Sequence, residues 1–261
     1  MALAVDEQAA YWTSGTSSAH LIAYSHAGAS GSVTAAGFVW PRDLALGPDH
    51  VFVATAGGVL SVPRGGGRSI SYGDAGAYRL ALDHDAVFAL ERTGSIYRIS
   101  LDGSGRQQIG NAGWACGLAL GESHVYVTND VAGTVSSLPK AGGGQAAVVL
   151  ATGQRGACDI AVDSQALYWT TEAAVVRLAK SGGSAPRVIA RSPGGAAGIV
   201  LDAAAVYWIQ GSSLMRVSKA AGRQAEVILS GAAPQDLALH DGMLYWPDIE
   251  RRAIMRMAAS R

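Results

Sequence analysis

Only two cysteines, Cys116 and Cys158, occur in 261 residues, which excludes a disulfide-dense scaffold and permits at most one bridge within the chain. No apolar run approaches the roughly 18 residues that a membrane helix needs. Charge is scarce and balanced: charged residues are 15% of the chain, with Lys plus Arg equal to Asp plus Glu at 20 each. Such a chain has no global field to draw in nucleic acid, anionic lipid or acidic substrates. Neither nucleic-acid binding nor membrane insertion is therefore expected, and partner choice falls to local chemistry. Also missing are a glycine loop ending in Gly-Lys-Ser/Thr, a nucleophile elbow, a His-Glu-x-x-His pair and a Cys-x-x-Cys pair. The opening, Met1-Ala2-Leu3-Ala4-Val5-Asp6, has no basic segment followed by an apolar one. It enters the repeat described next at its third residue; the compartment is left open, secreted or periplasmic if a leader has been removed from a precursor.

Hydrophobic residues, at 49%, suffice for a packed core and exclude a disordered chain. They carry a beat. A short apolar phrase recurs as Leu3-Ala4-Val5, Leu44-Ala45-Leu46, Leu80-Ala81-Leu82, Leu118-Ala119-Leu120, Ile160-Ala161-Val162, Ile199-Val200-Leu201 and Leu237-Ala238-Leu239. These starts, near 3, 44, 80, 118, 160, 199 and 237, match the roughly 40-residue unit of a four-stranded propeller blade. After each phrase comes a short turn and an aromatic, β-branched run such as Tyr168-Trp169-Thr170, read as a second strand. Alternating third strands follow, for example Ser95-Ile96-Tyr97-Arg98-Ile99 and Ile254-Met255-Arg256-Met257. Glycine-rich hairpins (Gly65-Gly66-Gly67, Gly142-Gly143-Gly144, Gly182-Gly183) then lead to fourth strands such as Glu226-Val227-Ile228-Leu229. The expected fold is all-β: a seven-bladed β-propeller occupying residues 1–261 as one domain, with six blades as the alternative. The chain stops just after the third strand of the seventh repeat, so the last blade is expected to have three strands, with Arg251, Arg252 and Arg256 guarding its edge.

At its paired aromatics the chain resembles the YWTD type of propeller repeat, found in low-density-lipoprotein receptors, and more loosely the NHL type. Tyr245-Trp246-Pro247-Asp248 keeps the acidic fourth position, Tyr168-Trp169-Thr170-Thr171 and Tyr11-Trp12-Thr13-Ser14 do not, and Phe52-Val53 and Phe88-Ala89 lack the tryptophan. The resemblance implies a propeller; receptor members of that family have six blades and bind protein ligands, whereas seven phrases here imply seven.

If strands alternate in direction, the second-to-third turns and the links between blades share one end, the mouth of a central channel and the usual ligand face. The links contribute Trp40, Arg42, Tyr78, Arg79, Trp114, Cys116, Cys158 and Asp159 to this end, and the turns contribute Glu91, Glu172 and Asp248. Aromatic, basic and acidic groups there suit a small molecule, a peptide or a protein. Trp12, Trp169, Trp208 and Trp246 sit at the repeated second-strand position and read as core, but Trp40 and Trp114 replace residues such as Gly76, Gly195 and Ala233 and read as binding contacts. His50, His84, His124 and His240 fall at the opposite end, so no histidine-bound metal is expected at the mouth. No cofactor is expected; carboxylates alone (Glu91, Asp159, Glu172, Asp248) leave calcium or magnesium as an alternative, although no tight oxygen-ligand spacing is visible.

Two functions follow. The first is a non-catalytic scaffold that engages a ligand or partner protein at the channel mouth. The second is a hydrolase or lyase at the same mouth, with Glu91, Asp159, Glu172 or a cysteine thiolate as the reactive group. Cys116 and Cys158 each precede a first strand by two residues and are expected at equivalent places on adjacent blades. A disulfide, inert thiols and a reactive pair all remain open, because diverging inner strands threaten the roughly 7 Å limit of a bridge.

Overall fold

A computed structural model of the chain describes residues 1–26, 31–73, 76–101, 105–144, 146–181, 183–220, 222–248, 251 and 253–259. Gly182 and Arg252 lie outside them. Among the described residues, 27 strands form seven antiparallel sheets, six of four strands and one of three. No helix among them is long and apolar enough to cross a membrane. The sheets span residues 3–38, 43–72, 77–111, 117–151, 160–191, 197–229 and 238–258, and within each the neighbouring strands are consecutive in sequence. This is the all-β, seven-bladed β-propeller class that the repeat predicts, with a three-stranded last blade.

The fifth blade shows how sequence makes the element. Ile160–Val162, Ala166–Thr170, Ala174–Ala179 and Arg187–Arg191 pair in turn. The second strand, Ala-Leu-Tyr-Trp-Thr, is buried along its whole length, so it carries β-branched and aromatic residues without polar alternation. The fourth strand is mostly exposed and begins and ends in arginine.

The chain divides into two compact units, Met1–Gly113 with Leu138–Ala146, and Trp114–Ser137 with Ala147–Arg261. In the second unit Trp169 and Trp208 are fully buried and Trp246 nearly so. Trp208 shares a cluster with Ala166, Tyr168 and Val175 of the preceding blade, and Trp246 with Ala205, Tyr207 and Ile209 of its own predecessor. These are the between-blade positions that the repeat assigns to tryptophan, each contributing roughly 2–3 kcal/mol or more of apolar burial. In the first unit Phe52 does the same work with Leu80, Val87 and Ala89, while Trp12 is only half-buried.

The turns between first and second strands hold a repeated ionic group. Asp163 accepts the N–H groups of Gln165 and Ala166 at 2.8 Å, the short-range capping that Asp gives to turns. Its other oxygen accepts Lys219 Nζ from the next blade at 2.7 Å, and that ammonium lies 5.2 Å from the Tyr168 ring centroid. Asp6 repeats the pattern with Gln8, Ala9, Arg64 and Tyr11, and Asp83 does so with Lys140 and Phe88. Burial pushes the carboxyls of Asp6 and Asp163 up, but the N–H donors and cations outweigh it and hold both below the usual range. Lys140 holds Asp83 far below it. The chain has three lysines, Lys140, Lys180 and Lys219, and each directly follows a third strand, as Arg64 does. His50 and His124, expected in these turns, are instead the first residues of second strands.

Candidate functional site

In the first unit, the ends of the blades that carry the second-to-third turns gather an unusual group. The Tyr78 ring has the guanidinium carbons of Arg79, Arg92 and Arg42 at 4.7, 5.0 and 5.5 Å from its centroid. Each such contact is worth about 0.5–1 kcal/mol at a partly exposed site. Three like charges around one phenol also repel one another. Arg42 is exposed and has no carboxylate partner among the described residues. Asp43, its neighbour, accepts the N–H groups of Leu44 and Leu80, which ties the second blade to the third.

Tyr78 and Arg79 are not in the link, where the sequence reading put them, but inside the first strand Ala77–Leu82. Ala77 faces Glu91 and Arg79 faces Leu90, so Tyr78 is the extra residue of a β-bulge, a device that re-aims a side chain. Gly76 makes this approach feasible, because a Cβ there would lie 2.8 Å from the Ala56 carbonyl oxygen. Arg92 was missed by sequence reading; its signal was its place directly after Glu91, at the tip of the same turn. Glu91 is the last residue of its strand and pairs with Arg106 at 3.3 Å.

Trp40 lies in the link that also carries Arg42. Its indole is 55% exposed, and its backbone is held at φ +52°, a left-handed conformation that costs a non-glycine residue about 1 kcal/mol or more. Hydrogen bonds hold it there: Trp40 N–H to Thr16 at 2.7 Å, Ala56 N–H to Val39 at 3.2 Å and Arg42 N–H to Ala54 at 2.9 Å.

In the second unit the expected cysteines and carboxylates are bonded within the fold. Cys116 and Cys158 form a disulfide with Cα atoms 4.8 Å apart. Of the three outcomes left open, the bridge is the one present: the separation lies inside the roughly 7 Å limit, and no thiol is left to act as a thiolate. Adjacent blades come this close because position 117 is glycine: a Cβ there would lie 2.2 Å from the Cys158 carbonyl oxygen. The Thr128 hydroxyl donates to that same oxygen. Asp159 accepts the Gly198 N–H of the next blade at 2.8 Å, the counterpart of Asp43. Glu172 pairs with Arg155 at 3.1 Å, both well exposed. Asp248, its side chain buried, accepts both the N–H and the guanidinium of Arg251, so Arg251 is not the free edge guard the sequence suggested. Trp114 is 50% exposed.

None of the four carboxylates named as an alternative metal site belongs to a group of three or more ligand side chains among the described residues. Among the described residues the one such grouping is Asp83, His84 and Asp85, near the opposite strand ends. There Asp83 is held by Lys140 and His84, and Asp85 by Arg98 at 2.6 Å.

No family model and no curated protein matches this sequence. Solved structures do share its fold. The WD40 β-propeller domain of Doa1 superposes with a TM-score of 0.76 at 11% identity, covering 100% of this chain and 92% of that one. Virginiamycin B lyase from Staphylococcus aureus gives 0.67 at 16%, covering 85% of each. A chain of a nidogen/laminin complex gives 0.58 at 16%, covering 69% of this chain and 76% of that one. At such identities the likeness is one of fold alone.

Proposed function

We propose that the protein is a non-catalytic binding scaffold of YWTD-like blades. Its ligand, a small molecule or an acidic group of a peptide or protein, is held by Arg42, Arg79 and Arg92 around Tyr78, with Trp40 as an adjoining apolar contact. One observation carries the reading: three guanidiniums gathered on one ring in a chain of zero net charge. Arginine does not deprotonate near neutrality, so all three side chains keep their charge beside the ring. Their planar forks suit carboxylate, phosphate or sulfate oxygens. The strained, exposed Trp40 supports the same reading, since strain of this kind concentrates at ligand clamps.

Both a lyase and a component of a protein complex share this fold, so the fold does not choose between catalysis and scaffolding. The bonding of individual residues favours the scaffold. Glu91 and Glu172 are paired with arginines, Asp159 holds a backbone N–H, and the cysteine sulfurs are joined, so each candidate reactive group of the enzymatic alternative already has a structural role. The test is calorimetric titration with phenyl phosphate, a flat ring bearing an anion. Saturable binding is expected, weakened at least tenfold by Arg42→Ala, about 1.4 kcal/mol, with no change of melting temperature and none of affinity in Arg155→Ala. Equal affinities in wild type and Arg42→Ala, or no saturable binding, would remove the proposal.

A further inference from the structure

Among the described residues, the third strand of the last blade, Ala253–Ala258, is the outer strand of its sheet, whereas the third strands of the other six blades are covered by a fourth. Uncovered strands offer unpaired N–H and C=O groups, a template for another segment. Comparison with the sixth blade states what is missing. There Tyr207 faces Arg216, Trp208 faces Met215 and Ile209 faces Leu214; in the seventh, Tyr245 faces Arg256, Trp246 faces Met255 and Pro247 faces Ile254. Leu214 and Val217 are buried, but their counterparts Ile254 and Met257 are only partly so.

The covering strand has a regular design. In the sixth blade Glu226 stands opposite Arg216 and Val227 opposite Met215; after one bulged residue Leu229 stands opposite Leu214. The fourth and fifth blades repeat this register, with the bulge at the same place. Glu226 also supplies a carboxylate oxygen 2.7 Å from Arg216 Nη1. Arg256, the counterpart of Arg216, is exposed and has no carboxylate partner among the described residues. A groove of about 320 Å3 runs beside this edge, lined by Arg216, Glu226 and Val227 on one side and Met257 and Ala259 on the other.

We infer that the open edge at Ala253–Ala258 binds an extended segment of a partner protein as a fourth strand, antiparallel, with an acidic residue opposite Arg256 and β-branched or leucine residues over Met255 and Ile254. Charge selects this occupant. A second copy of the same edge would bring another Arg256 toward this one, and like charges disfavour that pairing. No residue of this surface belongs to the Tyr78 group, and the inference stands or falls without it.

The probe is a fluorescent heptapeptide with the sequence of residues 224–230, Gln-Ala-Glu-Val-Ile-Leu-Ser, titrated into the full chain by anisotropy. Saturable binding is expected, with slowed amide exchange confined to residues 254–257. Changing the peptide's Glu to Lys should weaken binding at least tenfold, and Arg256→Glu should invert the preference while leaving the melting temperature and the phenyl phosphate affinity unchanged. The inference is overturned by no saturable binding, by Glu and Lys peptides binding alike, or by exchange protection elsewhere. It is equally overturned if the chain alone sediments as a dimer with residues 254–257 already protected.

Discussion

In the first unit, the two ends of the blades treat aromatic rings and cations in opposite ways. At the first-to-second turns each ring receives one cation and that cation one carboxylate: Tyr11 with Arg64 and Asp6, Phe88 with Lys140 and Asp83. These groups are neutral, partly buried, and link one blade to the next. At the second-to-third turns Tyr78 receives three guanidiniums, and Trp40 is displayed on a strained backbone. The same chemistry thus makes a fastening where one cation meets one ring and one carboxylate, and a candidate receptor where three guanidiniums share one ring. The difference gives a rule: a charged group already matched by its own fold is poor evidence of function, however suggestive its residue type.

The comparison is tested most severely in the second unit, where the second-to-third end is fastened by Cys116–Cys158. Closing a loop with a sequence separation of 42 is worth about 4 kcal/mol on the chain-entropy account. Cys116→Ser with Cys158→Ser should therefore lower the unfolding free energy of the oxidised protein by roughly that amount in urea titrations. Phenyl phosphate affinity should not move. If the affinity fell with the stability, the division between fastening and receptor would fail.

A smaller loss is expected on breaking one ionic fastening. Asp163→Asn keeps an oxygen for Gln165 and Ala166 but removes the charge facing Lys219, at a cost of about 1.5–2 kcal/mol. Acid should act on the wild type in the same direction. The folded-state pKa values of Asp6, Asp83 and Asp163 lie below their ordinary value of 3.8. Their contribution is therefore complete above that pH and is lost as pH falls through the depressed values. Urea midpoints should fall below pH 4, less steeply in Asp163→Asn. A variant with the wild-type slope would show that Asp163 carries no share of the acid sensitivity.

The repeat was legible because every blade solves the same burial problem: the phrase, the buried aromatic run and the glycine hairpin recur wherever a blade does, and the three-stranded last blade follows from them. The fastenings were legible too, but went unread. The chain's three lysines each follow a third strand, and an aspartate ends four of the seven phrases, at Asp6, Asp83, Asp163 and Asp202; either regularity would have assigned those charges to structure. Asp159 was chosen as a site residue although Asp43 and Asp236 occupy the same place before their own phrases, a periodicity that marks its bond to the next blade. The Tyr78 group was only half visible. Arg42, Tyr78 and Arg79 were assigned to the same end of the blades, but the bulge that turns Tyr78 toward the arginines depends on pairing between Ala77–Leu82 and Ala86–Glu91, which no local pattern encodes.

The finest test of the comparison is Trp40→Gly, where stability and binding should part. Glycine relieves the left-handed backbone, a gain of about 1 kcal/mol, offset by roughly 0.5–1 kcal/mol of added freedom in the unfolded chain. An indole already 55% exposed forfeits little packing. The net expectation is a change between about 0 and +0.5 kcal/mol in stability, together with weaker binding of phenyl phosphate as its ring loses an apolar contact. A core tryptophan behaves otherwise: replacing Trp169, fully buried, should cost about 3–5 kcal/mol. If Trp40→Gly destabilised the protein by more than about 1.5 kcal/mol, the residue would belong with the fastenings, and the strain at its backbone would be a consequence of packing rather than of display.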